Sequence, residues 1–329
     1  MKKTIGLFFG GLSNEAEVSV NSAENVVRNF DYEKYGLALI YWHSNGIFYL
    51  LDKIEGAKNP DKKNQIAVER FPEKFDVALL MTHGKFGEDG VLQGLLECQK
   101  IKYCGCHVLS SALCMDKAVF KTFLAGQKIN QVKFRVINYG TAGQNGIDRI
   151  ISEIKNDFQL PVFVKPSNSG SSVGIIRIES FENINAAIDE ARKYDAKIVI
   201  EEGLTGHQEI EIAVLGNKEL FISMPGELIP SKEFYDYEEK YKLGKTKIVA
   251  PARITPEQTQ EIKELAAKIY RFCDCNGFAR IDFFVKDRIY VNEVNTLPGF
   301  TDISMFPFLM QKSGIPYRDL INKIIELAY

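Results

Sequence analysis

The sequence lacks a hydrophobic run long enough to cross a membrane. Its longest uncharged stretch, 35–51, is interrupted by a His-Ser-Asn-Gly segment at 43–46, so it predicts two apolar strands joined by an Asn-Gly turn. The apolar run 5–12 follows two lysines, as in a signal peptide, but it contains three glycines and leads into two glutamates rather than a small-residue cleavage site. We therefore interpret this run as a first β-strand.

The chain also lacks an excess of charge of either sign. Its 329 residues carry 41 Lys and Arg against 43 Asp and Glu, for a net charge of -2, so no overall field attracts nucleic acid or an anionic membrane. We expect neither as a partner, and any polyanionic ligand must be held by local groups. The 45% content of hydrophobic residues is ordinary for a globular protein, and the length predicts two or three domains.

Cysteine is sparse and lacks the spacing of a zinc site. The six cysteines form two Cys-x-Cys pairs and two single residues, with no Cys-x2-Cys motif. We predict reduced, mostly buried thiols with no redox role. Reduced thiols are typical of the cytoplasm, where we expect this protein to reside.

The order of the apolar runs predicts an α/β fold. In the first hundred residues, strand-like runs at 4–9 and 75–81 are each followed by a glycine-containing loop and a helical pattern, at 15–30 and 90–98. This alternation is typical of a parallel sheet whose ligands bind at the carboxyl ends of its strands. Later segments predict helices over 110–124 and 182–194 and strands over 132–138, 160–165, 173–178 and 198–202.

A glycine- and serine-rich loop, 166–174, follows Lys165. Glycines allow backbone N–H groups to approach a ligand, serine hydroxyls add hydrogen-bond donors, and the lysine adds a positive charge. This composition suits a phosphate chain, although the loop lacks the Gly-Lys-Ser/Thr of a Walker A motif. A phosphate-binding loop and a flexible hairpin turn both fit the segment.

A second group of polar residues lies in the segment 279–295. If this segment forms a hairpin around a two-residue turn at 286–287, Arg280 lies opposite Glu293. The opposite face of the hairpin is then apolar, with Ala279, Ile281, Phe283 and Val285. The alternation of side chains then brings three oxygen ligands to the face of Arg280: Asp282, Glu293 and Asn295. Such ligands suit Mg²⁺ shared with nucleotide phosphates. A three-residue turn would shift the register and separate the two carboxylates, and a solvated Arg–Glu pair is the structural alternative.

Nine segments in their order make the chain similar to the D-alanine–D-alanine ligases of the ATP-grasp superfamily. They are FGGLSNEAEVS at 9–19, HGKFGEDG at 83–90, SSALCMDK at 110–117, FVKPSNSGSSVGI at 163–175, EIEIAVLGN at 209–217, PGELI at 225–229, FYDYEEKY at 234–241, ARIDFF at 279–284 and NEVNTLPGFTDISMFP at 292–307. The resemblance covers the chain from Phe9 to about Met310.

The resemblance implies a three-domain ATP-grasp architecture of mixed α/β class. An N-terminal parallel α/β substrate domain would span 1–105, a central ATP-grasp subdomain 106–205, and a C-terminal ATP-grasp and catalytic subdomain 206–329. ATP would lie between the two antiparallel sheets of the last two. The implied reaction joins two D-alanines through a D-alanyl phosphate, for peptidoglycan precursors, in an enzyme expected to form a homodimer.

The resemblance also implies roles for individual residues. ATP would contact Lys117, Lys165, Glu201, Glu202, Glu209, Lys240 and Asn292. Two Mg²⁺ ions, or Mn²⁺ in their place, would be held by Asp282, Glu293 and Asn295. The first D-alanine would bind at Glu15 and His83, and the second at Ser304 and Met305. The catalytic set would be Glu15, Ser171, Tyr241, Arg280 and Gly299, closed by a charged lid at 231–247 that excludes water.

Two features depart from the family pattern. Ala16 replaces the histidine usual between Glu15 and Glu17, and the segment Glu201–Glu209 is one residue longer than usual. Two alternatives to the dipeptide-forming reaction stay open at this point. One is a ligase that takes D-lactate or D-serine as second substrate, and the other is a non-catalytic nucleotide-binding regulator on the same fold.

Overall fold

Three β-sheets organise the chain. The computed structural model describes residues 2–229 and 246–329. In this part of the chain, one sheet is mostly parallel and the other two consist of antiparallel pairs. The predicted mixed α/β class is therefore confirmed. The proposed boundaries near residues 105 and 205 stay a prediction.

The first sheet is built on a central strand, β1, that is buried from its second residue onward. Its order is β3-β2-β1-β4-β5, and only the β2–β3 hairpin, which encloses the Asn-Gly turn, is antiparallel. The strands are β1 (Thr4–Gly10), β2 (Gly36–Trp42), β3 (Phe48–Leu51), β4 (Val77–Leu80) and β5 (Lys102–Tyr103). Helices α1 (Ala16–Asn29) and α2 (Val91–Cys98) follow β1 and β4, as the sequence predicted. The loops at the carboxyl ends of β1 and β4 therefore lie side by side.

The second sheet has the order β6-β9-β7-β8. Its strands are β6 (Phe134–Asn138), β7 (Val162–Pro166), β8 (Ile176–Ile178) and β9 (Lys197–Glu202). Helices α5 (Gln144–Asp157) and α6 (Ile184–Ala191) cover one face and share a separate hydrophobic core with it. Helix α5 was not predicted from the sequence, because a glycine- and asparagine-rich stretch, 140–146, overlaps its start.

The single helix predicted over 110–124 is wrong. Two helices, α3 (Val108–Met115) and α4 (Lys117–Gly126), are separated by Asp116, whose backbone is extended at φ -81° and ψ 97°. The Asp116 carboxylate accepts hydrogen bonds from the N–H groups of Ala118 and Val119, both at 3.1 Å. An aspartate at this position stabilises a new helix start. Lys117 consequently stands at the first turn of α4.

The third sheet has the order β13-β12-β10-β14-β15, with β11 paired to β10. The strands are β10 (Gln208–Leu215), β11 (Phe221–Ile222), β12 (Gly226–Ile229), β13 (Lys247–Val249), β14 (Phe278–Val285) and β15 (Ile289–Asn295). Helix α7 (Pro256–Phe272) packs on one face together with α3 and α4. Helices α8 (Met305–Lys312) and α9 (Tyr317–Glu326) share a core with the first sheet and with β10.

The β14–β15 hairpin has a different register from the one predicted. Its turn contains three residues, because Val285 pairs with Ile289, and a β-bulge then skips Asn292. The extra residue of the bulge offsets the longer turn, so that Asp282 and Glu293 share a face as predicted and lie directly opposite each other. The predicted pairing of Arg280 with Glu293 is wrong, since Arg280 lies opposite Asn295. The predicted apolar face is confirmed, with Ala279, Ile281, Phe283 and Val285 all buried.

Two further expectations concern the surface. Among the described residues, no helix combines the length and apolar character that a membrane crossing requires. Five of the six cysteines are buried and Cys98 is exposed, in agreement with the prediction of mostly buried thiols.

Candidate active site

Two adjoining cavities collect the candidate residues. The substrate-side cavity, of about 200 Å³, lies between the β1 and β4 loops and the third sheet. The nucleotide-side cavity, of about 540 Å³, lies between the second and third sheets. Candidate residues that line both are Lys117, Ser171, Glu209, Asn292 and Glu293. The two cavities therefore form one continuous cleft.

The first end of the cleft is built around the carboxylate of Glu15, at the start of α1. The Ser171 hydroxyl donates a hydrogen bond to this carboxylate across 156 residues of sequence. The backbone of Ser171 has a φ of 49°, in the left-handed region. A Cβ at Gly84 or Gly170 would lie within 2.5 Å of the Glu15 carboxylate. Only glycine leaves room for this carboxylate at those two positions.

His83 lies buried beside Glu15 with both ring nitrogens engaged. Nδ1 is 3.0 Å from the Leu297 carbonyl oxygen, which can only accept, so Nδ1 carries the proton. Nε2 then accepts from the Ser22 hydroxyl at 3.0 Å. Burial lowers the pKa of His83, although the charge of Glu15 opposes this effect. A neutral His83 thus ties the β4 loop to α1 and to the loop after β15.

The opposite wall of this cavity is the loop from Gly299 to the start of α8. A Cβ at Gly299 would approach the Ser304 hydroxyl oxygen to 2.7 Å, so the backbone must stay bare there. Ser304 precedes the first residue of α8, Met305, and its hydroxyl accepts a hydrogen bond from the Thr301 N–H at 2.9 Å. The loop is anchored to α1, because Asn25 donates to the Phe300 carbonyl oxygen at 2.9 Å. The amino end of α8, which favours anions, faces the cleft.

A carboxylate-rich cluster forms the floor of the cleft on β10, β14 and β15. Arg280 donates two hydrogen bonds of 2.8 Å to Asp282 and lies 2.8 Å from Glu211. Asn295 donates to Asp282 at 3.0 Å, and Glu293 lies opposite Asp282. Burial disfavours the charge of Arg280, but the two carboxylates outweigh it and hold the pKa of Arg280 above its usual value. We call Glu211, Arg280, Asp282, Glu293 and Asn295 the carboxylate cluster.

The donor set of this cluster suits a hard divalent cation with further ligands from outside the protein. Within residues 2–229 and 246–329, no group of three or more His, Cys, Asp or Glu side chains could hold a metal ion by itself. Two carboxylates and the amide of Asn295 do converge there, and Mg²⁺ is commonly bound by one or two carboxylates plus substrate phosphates. The residues therefore fit a metal that arrives with a nucleotide.

A lysine-rich cluster on the second sheet faces the carboxylate cluster across the cleft. The Lys165 ammonium on β7 donates to Glu201 on β9 at 2.7 Å, and Lys121 on α4 lies 3.2 Å from the other oxygen of the same carboxylate. Burial would raise the pKa of Glu201, but the two lysines hold it at about 2. We call Lys121, Lys165 and Glu201 the lysine cluster.

The glycine- and serine-rich loop connects the two clusters through α4. Lys117 donates from its ammonium to the Ser169 carbonyl oxygen at 2.7 Å and lies 3.9 Å from Glu293. The Ser167 hydroxyl donates to Asp116 at 2.5 Å, and Lys197 forms an ion pair with the same carboxylate. The break between α3 and α4 therefore fixes the loop and Lys117 together.

The remaining nucleotide candidates line the larger cavity. Glu202 accepts hydrogen bonds from Lys133 at 3.3 Å and from the Gln159 N–H at 2.7 Å. Glu209 is the second residue of β10, and its carboxylate lies 3.8 Å from Nε2 of His207. The His207 ring packs edge-on against Phe284, with 4.5 Å between the ring centres. Asn292 is the extra residue of the bulge and points to both cavities. His207 also lines this cavity.

Two predicted site residues, Lys240 and Tyr241, lie outside the described residues, as does nearly all of the predicted lid at 231–247. Every other predicted site residue lines one of the two cavities.

Sequence reasoning missed three charged residues of the site. Lys121 follows Lys117 by one helical turn, and Glu211 follows Glu209 by two residues of a strand, so periodicity offered a signal for both. Glu88 belongs to the quoted segment 83–90 and lines the substrate-side cavity. Burial and the neighbouring charge of Glu15 raise the pKa of Glu88 to about 8.

Two facing antiparallel sheets and this cleft are the ATP-grasp architecture, which defines a class of ATP-dependent ligases. The sequence profile of the D-ala D-ala ligase N-terminus matches residues 4–106, and that of the D-ala D-ala ligase C-terminus matches residues 123–326. The chain belongs to the D-alanine–D-alanine ligase family.

Individual relatives agree with this assignment. The chain is 47% identical to a D-alanine–D-alanine ligase of Caldicellulosiruptor bescii, over 99% of this chain and 95% of that one. It is 42% identical to one of Clostridium novyi, over 100% and 98%. Among solved structures, the VanG D-Ala:D-Ser ligase of Enterococcus faecalis superimposes with a TM-score of 0.88 at 35% identity, covering 100% of both chains. The D-alanine-D-alanine ligase of Coxiella burnetii gives 0.84 at 32%, covering 99% and 94%.

Proposed function

We propose that this chain joins two D-alanine molecules into D-alanyl-D-alanine and releases ADP and phosphate. The observation that carries this proposal is the continuity of the cleft. A large cavity between two antiparallel sheets opens into a smaller, strongly polar one, and Lys117 and Glu293 stand at their junction. A nucleotide in the larger cavity would present its terminal phosphate to an amino acid in the smaller one.

The first half of the reaction makes the carboxylate of one D-alanine reactive. That carboxylate attacks the γ-phosphorus of ATP, the bond to ADP breaks, and D-alanyl phosphate forms. Lys117, Lys165 and Lys240 would neutralise the phosphate charge, while Glu15, held by Ser171, would bind the ammonium of the same D-alanine. Asp282, Glu293 and Asn295 would hold Mg²⁺. When bound, the metal would lower the charge on the transferring phosphoryl group.

The second half forms the amide bond. The amine of the second D-alanine attacks the acyl phosphate, and the tetrahedral oxyanion would be stabilised by Arg280 and the Gly299 N–H. The Ser304 hydroxyl and the Met305 N–H, at the amino end of α8, would hold the carboxylate of the second D-alanine. Collapse of the oxyanion expels phosphate. Tyr241 and the segment 231–247 would exclude water, which would otherwise hydrolyse the acyl phosphate.

The surrounding nucleotide contacts follow the same proposal. Glu201, Glu202 and Glu209 would lie around the adenine and ribose, with Asn292 near the metal-bound phosphates. The family pattern further supports a role in peptidoglycan precursor synthesis, a cytoplasmic location and a homodimer. Mn²⁺ would replace Mg²⁺ without a change of ligands.

A second candidate, D-serine as the second substrate, is favoured by the likeness to the VanG structure. Purified enzyme with Mg²⁺-ATP and D-alanine, alone and with equal D-serine or D-lactate, separates the candidates. We expect phosphate release and D-alanyl-D-alanine as the main product by mass spectrometry, with L-alanine as the inactive control. D-alanyl-D-serine or a depsipeptide as the main product would overturn the specificity, and no phosphate release with any D-amino acid would favour a non-catalytic regulator.

A further inference from the structure

Lys121 is a buried lysine next to the nucleotide-side cavity but not part of its lining. Its side chain is 2% exposed, and the ammonium lies 3.2 Å from Glu201 and 5.8 Å from the centre of the Phe134 ring. Burial lowers the pKa of Lys121, although Glu201 opposes this effect. Burial of a lysine lowers the stability of the fold unless a partner balances its charge. The presence of Lys121 at this position therefore calls for an explanation.

The charge count of the lysine cluster supplies one. Glu201 gives one oxygen to Lys165, at 2.7 Å, and the other to Lys121. With two ammonium groups and one carboxylate, the cluster carries one net positive charge. Only Lys165 and Glu201 face the cavity, so this charge is available at the cavity through Lys165. Without Lys121, the carboxylate would cancel the charge of Lys165 in a poorly solvated site.

We propose that Lys121 is a positioning residue that balances Glu201, so that Lys165 keeps a positive charge for the phosphate chain of the nucleotide. Glu201 also fixes where that charge lies. Glu201 on β9 pairs with Phe163 on β7, and Phe163 precedes Lys165 by two residues on the same strand. From this position Glu201 accepts a hydrogen bond from the Lys165 ammonium at the cavity. Lys121 therefore acts through Glu201 and touches no substrate.

This proposal rests on the proposed nucleotide site, and a charge series tests the two separately. Lys121→Met sets the cluster to a net charge of zero, Glu201→Gln to two positive charges, and the double variant back to one. Isothermal titration calorimetry gives the dissociation constants of ATP, with Mg²⁺, and of adenosine, which has no phosphate. The affinity ratio, which is the affinity for ATP divided by the affinity for adenosine, isolates the contribution of the phosphates. Any loss of an adenine contact at Glu201 affects both ligands and leaves this ratio unchanged.

We expect Lys121→Met to raise the dissociation constant of ATP by at least about tenfold and to change that of adenosine by less than about twofold. The ratio should return toward the wild-type value in the double variant, and it should not fall in Glu201→Gln. In turnover assays, KM for ATP should rise in Lys121→Met while KM for D-alanine stays constant. Lys34→Met, which breaks an exposed ion pair with Glu326, is the matched control and should leave every value unchanged.

Several outcomes would overturn the proposal. Equal weakening of ATP and adenosine in Lys121→Met would mean that the lysine only shapes the pocket. If Lys121→Met does not fold, a lower affinity ratio in Glu201→Gln, or a double variant that folds but does not return toward the wild-type ratio, would be equally decisive. Failure of the wild-type chain to bind ATP would instead contradict the proposed function.

Discussion

The two walls of the nucleotide-side cleft meet the same ligand with opposite charge. On the second sheet, the lysine cluster sets two ammonium groups against one carboxylate. On the third sheet, the carboxylate cluster sets one guanidinium against Glu211, Asp282 and Glu293. A phosphate chain can contact the first wall directly. At the second wall it needs a cation between its oxygens and the carboxylates.

The contrast explains how a chain of nearly balanced charge can hold a polyanion. The positive charge on one wall does not come from an excess of basic residues in the chain. It is held in place by single buried contacts, such as the hydrogen bond from Lys165 to Glu201. The negative charges on the other wall are fixed by Arg280, which is held between Glu211 and Asp282. Each wall therefore depends on one residue of the opposite sign, and the first prediction below removes the one on the third sheet.

Arg280→Ala should have the largest effect. The variant removes the only positive charge of the carboxylate cluster and, with it, the group placed to stabilise the oxyanion. Loss of such a donor costs about 10²- to 10³-fold in kcat. We expect that loss in phosphate-release assays, while calorimetry shows an ATP dissociation constant within a few-fold of wild type.

The matched control is Arg70→Ala, because Arg70 forms an exposed pair with Glu73 at 3.1 Å, and neither residue lines the cleft. Arg70→Ala should retain turnover. Arg280→Lys should fall between Arg280→Ala and wild type, since an ammonium keeps the charge but not the two parallel hydrogen bonds to Asp282. Normal turnover in Arg280→Ala would refute its assigned role.

Glu293→Gln should have an intermediate effect, on metal dependence. The change removes one charge from the carboxylate cluster but keeps the size and hydrogen-bonding oxygen of the side chain. Changes in the shell around a bound metal cost about ten- to a hundredfold in affinity, and loss of a direct ligand should cost at least as much. We expect the Mg²⁺ concentration for half-maximal turnover to rise at least about tenfold, with activity partly recovered at saturating Mg²⁺.

Direct metal binding provides a readout besides turnover. The affinity of the enzyme–ATP complex for Mn²⁺, measured by electron paramagnetic resonance, should fall in parallel. Glu326→Gln, at an exposed ion pair with Lys34, is the control. A slower enzyme with unchanged Mg²⁺ dependence and unchanged Mn²⁺ affinity would show that Glu293 is not a metal ligand.

The sequence predicted the elements better than the details that align them. Runs of apolar residues predicted β1 and α1, because local periodicity determines which face is buried. The break at Asp116 was missed, since an aspartate can also stand inside a helix, and two of its partners, Ser167 and Lys197, come from distant parts of the chain. The bulge at Asn292 was missed for the same reason, because a register depends on the whole sheet.

The candidate site shows the same limit. The resemblance supplied residues with family motifs, but not Lys121, Glu211 or Glu88, whose importance depends on which charge lies nearby. Pairs such as Lys121 with Glu201 join residues 80 positions apart in the printed sequence. Periodicity within α4 or β10 can align Lys121 with Lys117 and Glu211 with Glu209, but it cannot show which distant charge each of them meets.

Glu88→Gln should have the smallest effect, on the pH dependence of stability. Burial and Glu15 raise the pKa of Glu88 from 4.5 to about 8, so between these values the folded chain holds a proton that the unfolded chain has lost. The contribution of Glu88 to the free energy of unfolding therefore falls as pH rises through this window. Urea denaturation of metal-free protein at intervals from about pH 5 to 8 measures it. We expect the variant to gain stability relative to wild type toward pH 8, whereas the exposed Glu55→Gln control follows wild type. Parallel profiles for Glu88→Gln and wild type would mean that Glu88 ionises normally and adds a further negative charge to the substrate-side cavity.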